Sequence, residues 1–267
     1  MAQLTDYVSL RAMHEVVIEE TRRLIARRRA GARGPAATIE REWVLGVGAQ
    51  HAFGSPSGRF RFVETIATKE TPEGAPTEMP KAWPVKGETM TSEAFEWFNL
   101  AGLDDSYNIP GIDYRPTHRQ GDEWVDAQNF LRRKVAFIDS DPSLLYRMLI
   151  DTRLQDVFEQ VGPTAVSGEE LRAWFTGPID GVAFVTALPV QQVYAELLFA
   201  AHRNLNYEFR QHDRVDIMEL ALAVPYCDVV VPDKNWAHLA NASRVAREHN
   251  TTVLQGLRAF KEWAERL

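Results

Sequence analysis

Three aspartates near the end of the chain carry the strongest chemical signal in the sequence. Asp216 stands early in an apolar-periodic stretch, and Asp228 and Asp233 bracket the run Val229-Val230-Val231. A short apolar run bounded by Pro225 and Pro232 reads as a buried strand. In parallel α/β units ligands collect outside the carboxyl ends of strands, so Asp233 is expected at that end. Two carboxylates meeting there repel each other unless a cation joins them, and hard oxygen ligands suit Mg²⁺ or Mn²⁺. Such an ion activates water and stabilises a leaving oxygen in phosphodiester cleavage. Asp216 and Asp233 are the expected metal ligands, and Asp228 is an assisting acid. Glu219 lies one helical turn after Asp216, and Asp213 is a further outer acid. The plain structural alternative is a helix N-cap and a turn residue.

Phosphate chemistry also needs cations. Arg22, Arg23, Arg27, Arg28, Arg29 and Arg33 cluster with no acid among them, and Arg132, Arg133 and Lys134 form a smaller patch. Arg22, Arg23 and Arg27 are the expected nucleic-acid contacts, with Lys234 meeting phosphate beside Asp233. Against a broad basic face stands the net charge of -7. Affinity for nucleic acid comes mostly from phosphate neutralisation, so any such contact is a local strip. A solvated helix face or a protein-docking strip is the competing reading of the arginines.

Other motifs carry less. His14-Glu15 is followed by Ile18 where a zinc-protease helix needs a second His. Gly46-Val-Gly48 opens like a dinucleotide loop but lacks the third glycine. The single cysteine, Cys227, excludes an internal disulfide and a thiolate metal cage, and precedes an apolar run as a buried thiol would. No apolar run approaches the roughly 18 residues of a membrane span, and MAQLTDYVSL does not read as a signal peptide. A cytoplasmic protein without membrane contact is the expectation.

The elements that must position these residues are mostly helical by periodicity. Residues 9–29 read as a helix stopped by the glycines and proline of 31–35, with a strand-like or short helical core at 43–45. Residues 59–67 alternate like a strand. Four prolines recur across 68–92, which reads as a long loop. Residues 93–101 and 123–138 read as helices. Pro142 and Pro189 each open a helix, and Ser167-Gly168-Glu169-Glu170 is a capping box. From residue 215 the pattern is helix, strand (228–231), helix (235–249), strand (251–254), helix (257–267), which implies parallel strands joined by crossover helices.

The run from Asp216 through Pro225-Tyr-Cys-Asp228 to Val231-Pro-Asp233-Lys234 resembles the C-terminal half of a PIN-like nuclease domain. A wider stretch, from Leu188-Pro189 through Arg203-Asn204 to Thr252-Val253-Leu254, is similar to bacterial PIN-like proteins, as is Gln50-His51-Ala52-Phe53-Gly54. The likeness is specific over the last 80 or so residues. It implies an α/β fold with a small parallel sheet, surrounding helices and a helical insertion. The implied divisions are 1–67 and 176–267 as the two parts of the domain, 68–92 as a Pro-rich loop and 93–175 as the insertion. It also implies an acid about six residues after a Ser, which Ser9 and Glu15 match, so Glu15 joins Asp216, Asp228 and Asp233 as a catalytic candidate. Val231 or Pro232 stands where that family has a Thr, and no apolar strand ending in an acid opens the chain. The implied function is divalent-metal-dependent cleavage of RNA rather than DNA. The alternative is a catalytically impaired binding or scaffold subunit, with a protein partner as in toxin–antitoxin or defence pairs, or a homo-oligomer.

Overall fold

In the computed structural model, described residues are 8–32, 39–47, 51, 115–136, 142–162, 165–177, 179–204 and 206–266. The expected strand at 59–67, the Pro-rich 68–92 stretch, the 93–101 helix and most of the Gln50–Gly54 run lie outside them. The chain divides into two compact units. One comprises Met1–Ala12 and Glu42–Gln120, the other Met13–Arg41 and Gly121–Leu267.

In the first unit, β1 (Val8–Leu10) pairs antiparallel with β2 (Leu45–Val47), with Ser9 opposite Gly46. The helical periodicity expected from residue 9 therefore begins only after this strand. Arg11 extends the pairing: its N–H donates to Val44 O at 2.9 Å, and its guanidinium lies 4.0 Å over the Trp43 ring. Gly46 cannot carry a side chain without displacing its neighbour, because a Cβ there would sit 2.2 Å from the His51 imidazole.

The second unit is helical. Its helices are α1 (Met13–Arg29), α3 (Arg115–Ala136) from residue 121, α4 (Pro142–Val161), α5 (Gly168–Trp174), α6 (Asp180–Val185), α7 (Pro189–Arg203), α8 (Asp213–Tyr226), α9 (Lys234–Ala242), α10 (Val245–Glu248) and α11 (Gly256–Ala264); α2 (Arg41–Val44) bridges the sequence between the units. Local signals set several starts. Pro189 occupies the first turn of α7, where its missing N–H leaves nothing unsatisfied. Ser167 and Glu170 form both arms of the capping box that opens α5.

The core centres on α7. Val190, Val193, Ala195, Leu197 and Ala201 are fully buried along it, which is the signature of a helix covered on most sides. α7 packs most extensively on α8 and also meets α1, α4 and α9. Val16 and Val17 of α1, Leu149 and Ile150 of α4, and Ile217 and Val224 of α8 close around it. Phe158, Phe175 and Phe184 form an aromatic trio, with centroids 5.4–6.0 Å apart, under α4 and α6.

The α/β fold with a PIN-like parallel sheet is not what forms. The described residues are mostly helical, and their strands make two sheets of two strands each. β3 (Val229–Val230) does pair parallel with β4 (Thr252–Val253), through a crossover of α9 and α10. That ladder is two residues long for local reasons. Pro232 has no N–H to donate just beyond β3. Beyond β4, Gly256 at φ +81 turns the chain into α11. Among the described residues no further strand joins either edge.

Candidate functional site

The loop from α7 to α8 and the turn from β3 to α9 bring three aspartates around one tyrosine. Asp213 opens α8 and is only 6% exposed. Its Oδ2 accepts the Arg210 N–H at 2.6 Å, and its Oδ1 accepts the Tyr207 hydroxyl at 2.7 Å. Asp233 is the N-cap of α9: its Oδ1 accepts from the N–H groups of Asn235 (2.6 Å) and Trp236 (2.9 Å). Asp216, half-buried, lies three residues after Asp213 on α8.

The electrostatics tie these groups together. Burial raises the Asp216 carboxyl above the usual aspartate range, and the charges of Asp233 and then Asp213 add to the rise. His212 and the Trp236 indole oppose it. Trp236 is fully buried, and its Nε1 completes no hydrogen bond. It lies near enough to Asp216 to favour the charged carboxylate without being aligned on it. Burial also raises the Tyr207 phenol, followed by its bond to Asp213 and the charges of Asp213, Asp233 and Asp216. Tyr207 packs edge-on against Trp236 with centroids 5.6 Å apart, so an aromatic floor underlies the acids.

Asp228 and Glu15 are placed elsewhere, whereas Glu219 adjoins Asp216. Asp228 is exposed at the opposite end of β3 from Asp233 and pairs with Arg41 at 2.6 Å. Glu15 is half-buried in the first turn of α1. Glu219 is exposed but hemmed in enough for desolvation, and then Asp216, to raise its carboxyl.

The arginines are largely engaged within the fold. Arg23 bonds Glu19 (2.9 Å) and both carboxylate oxygens of Glu40 (3.2 and 2.9 Å). Arg28 lies 5.0 Å over the Phe184 ring, and Arg29 pairs with Glu170 at 2.6 Å. Arg22 is exposed and Arg27 half-buried on the same helix. Arg132, read as a phosphate contact, instead donates to the carbonyls of Tyr207, Ala201 and Asn204, which lie at and beyond the C-terminus of α7. Lys234 remains exposed at the start of α9, beside Asp233.

A cavity of about 480 Å³ adjoins the acids, lined in part by Tyr207, Lys234, His238 and Asn241. Neither Tyr207 nor Trp236 stood out in the sequence. Their spacing, six residues before Asp213 and three after Asp233, gave no pattern beyond aromatics in an apolar-rich region. A second overlooked group, Glu20, is fully buried: Tyr226 donates to it at 2.6 Å and the Val190 N–H at 3.3 Å. Burial dominates those bonds and pushes its carboxyl up to about 8. Burial likewise raises the half-buried Cys227 thiol, as suits a structural rather than a nucleophilic sulfur.

Among the described residues no group of three or more His, Cys, Asp and Glu side chains is gathered to hold a metal ion. Mg²⁺ and Mn²⁺ bind through as few as one or two carboxylates and keep several waters or phosphate oxygens, and Asp216 and Asp233 are the carboxylates that could serve such an ion here. Asp216 offers a crowded carboxylate, and Asp233 keeps its Oδ2 outside the cap bonds. The described residues also contain no helix long and apolar enough to cross a membrane. The fold and site thus define a helical protein with an acidic pair over an aromatic floor. Compared with protein families, characterised proteins and solved structures, the chain matches none.

Proposed function

We propose that the chain is a divalent-metal-dependent phosphodiesterase acting on nucleic acid, RNA foremost, with Asp216 and Asp233 as the metal ligands. One observation carries the reading. The Asp216 carboxyl is raised first by burial and then by the charge of Asp233, an unfavourable setting for its carboxylate that a cation would relieve. A cavity whose lining includes Lys234 and His238 lies alongside. The reading rests on this acid pair and not on a PIN-like fold.

Each residue has a distinct task. Asp216 and Asp233 hold the ion, which when bound supplies water activation and charge neutralisation at the leaving oxygen. Asp213, held by Tyr207 and the Arg210 N–H, fixes the start of α8 and so the position of Asp216. Trp236 and Tyr207 exclude water from beneath the acids, which strengthens the carboxylate–cation attraction. Lys234 draws the substrate phosphate toward Asp233.

Calorimetric titration with Mn²⁺ tests the ligand assignment. Wild type is expected to bind, and Asp216→Asn to lose binding. RNA and DNA cleavage is then followed with Mg²⁺ or Mn²⁺. An unchanged cleavage rate in the Asp216→Asn, Asp233→Asn double variant overturns the proposal.

A further inference from the structure

The cavity beside the acids has a chemistry of its own. It lies between the residues that follow α7, one side of α9 and the turn after β4. Its volume of about 480 Å³ falls within the roughly 300–1,000 Å³ of small-molecule sites. Lys234 and His238 stand one turn apart on α9, and Asn241 follows on the next turn of the same face. Gln255 and Asn204 line it from the other elements.

The polar capacity of this lining is largely open. Among the described residues, the side chains of Lys234, Asn235, His238 and Gln255 meet no hydrogen-bond or ion-pair partner. Asn241 is fixed, because its Nδ2 donates to Ala237 O (2.9 Å) and Val253 O (3.1 Å), leaving its Oδ1 as an acceptor. Asn204 accepts the Asn206 N–H through Oδ1 at 3.2 Å, leaving its Nδ2 as a donor. The wall therefore offers one permanent cation, an imidazole, and amides that both donate and accept.

That combination selects its occupant. A bare anion would use Lys234 and leave the amides idle. An apolar ligand would strand every polar group, which is unfavourable on burial. A neutral sugar would leave the cation unpaired. A nucleotide uses all of them, since it joins an anionic phosphate to a planar base edge carrying donors and acceptors. The geometry points to this cavity as a nucleotide subsite. Lys234 and His238 take a phosphate, and the amides of Asn235, Asn241 and Gln255 read the base. The Asp233 carboxylate at its border repels phosphate, but two backbone N–H groups and the adjacent Lys234 offset that charge.

The inference deepens the proposed function, since the nucleotide would be the unit of the strand next to the phosphodiester held at Asp216 and Asp233. Nucleotide binding to the full chain in EDTA is nevertheless independent of the metal. AMP, UMP, adenosine, uridine and inorganic phosphate are titrated against wild type, Lys234→Ala and Gln255→Ala. At least one mononucleotide is expected to bind saturably, more tightly than its nucleoside or phosphate by roughly tenfold. Lys234→Ala should weaken the nucleotide and not the nucleoside, whereas Gln255→Ala should weaken both by roughly fivefold. Both substituted positions are exposed, so folding is preserved. Absence of mononucleotide binding overturns the inference, and so does binding that neither substitution changes. Phosphate binding as tightly as the mononucleotides makes this a simple anion site and also overturns it. Mononucleotide binding without Mn²⁺ binding would sink the metal reading alone, and the converse would sink the subsite alone.

Discussion

Glu20 gives the sharpest test of how this core is built. It lies on α1, fully buried against the first turn of α7, with Tyr226 donating to one oxygen at 2.6 Å and Val190 N–H only at 3.3 Å. Both bonds favour the carboxylate, but desolvation outweighs them and moves the carboxyl from 4.5 to about 8. At neutral pH the folded protein thus keeps a proton there that the unfolded chain has lost. Stability is fully present below about pH 4.5, falls as pH rises, and levels off once pH passes about 8. The gap of about 3.5 pH units, at about 1.4 kcal/mol each, gives a loss on the order of 5 kcal/mol. Even half of that is a large share of the 5–15 kcal/mol by which domains are usually stable.

The perturbation is Glu20→Gln, which keeps an oxygen for Tyr226 and Val190 and removes the titration. Urea unfolding of both proteins is measured at pH 5, 7 and 9. The two should be closely matched at pH 5, and the variant should gain on wild type by several kcal/mol at pH 9. Parallel stability profiles across that range would refute the argument, because they would mean that Glu20 ionises at no extra cost on folding.

Further outcomes follow from the acids. Asp233→Ala removes the α9 cap and should destabilise by about 1 kcal/mol, while Asp233→Asn keeps the cap; urea midpoints separate the two. Tyr207→Phe leaves Asp213 Oδ1 short of a buried donor and should lower stability by about 1–3 kcal/mol in the same assay. Because the Asp216 carboxyl is raised, protons compete with Mn²⁺ at higher pH than at an ordinary aspartate. Calorimetric affinity should therefore decline on acidification before the usual aspartate range is reached, and a flat profile down to that range would count against Asp216 as a ligand.

Local chemistry in the sequence determined a definite share of this protein. Pro142, Pro189 and the Ser167–Glu170 box mark helix starts, because a missing N–H or a capping side chain acts within one turn. The helix leading into Tyr226, the Val229–Val230 strand and the Asp233 turn were legible for the same reason. Sheet size was not. Whether an apolar run gains neighbours depends on which distant segments reach its edges, and here, among the described residues, Val229–Val230 gains only Thr252–Val253. The fates of the charged residues were equally non-local. Arg132 reads as a surface cation until the carbonyls of residues 201, 204 and 207 converge on it. Glu20 reads as one more helix acid until α7 and Tyr226 close over it. Spacing sets which face of a helix a residue occupies, but only the packed neighbours set its dielectric and its partners, and these decide what its charge can do.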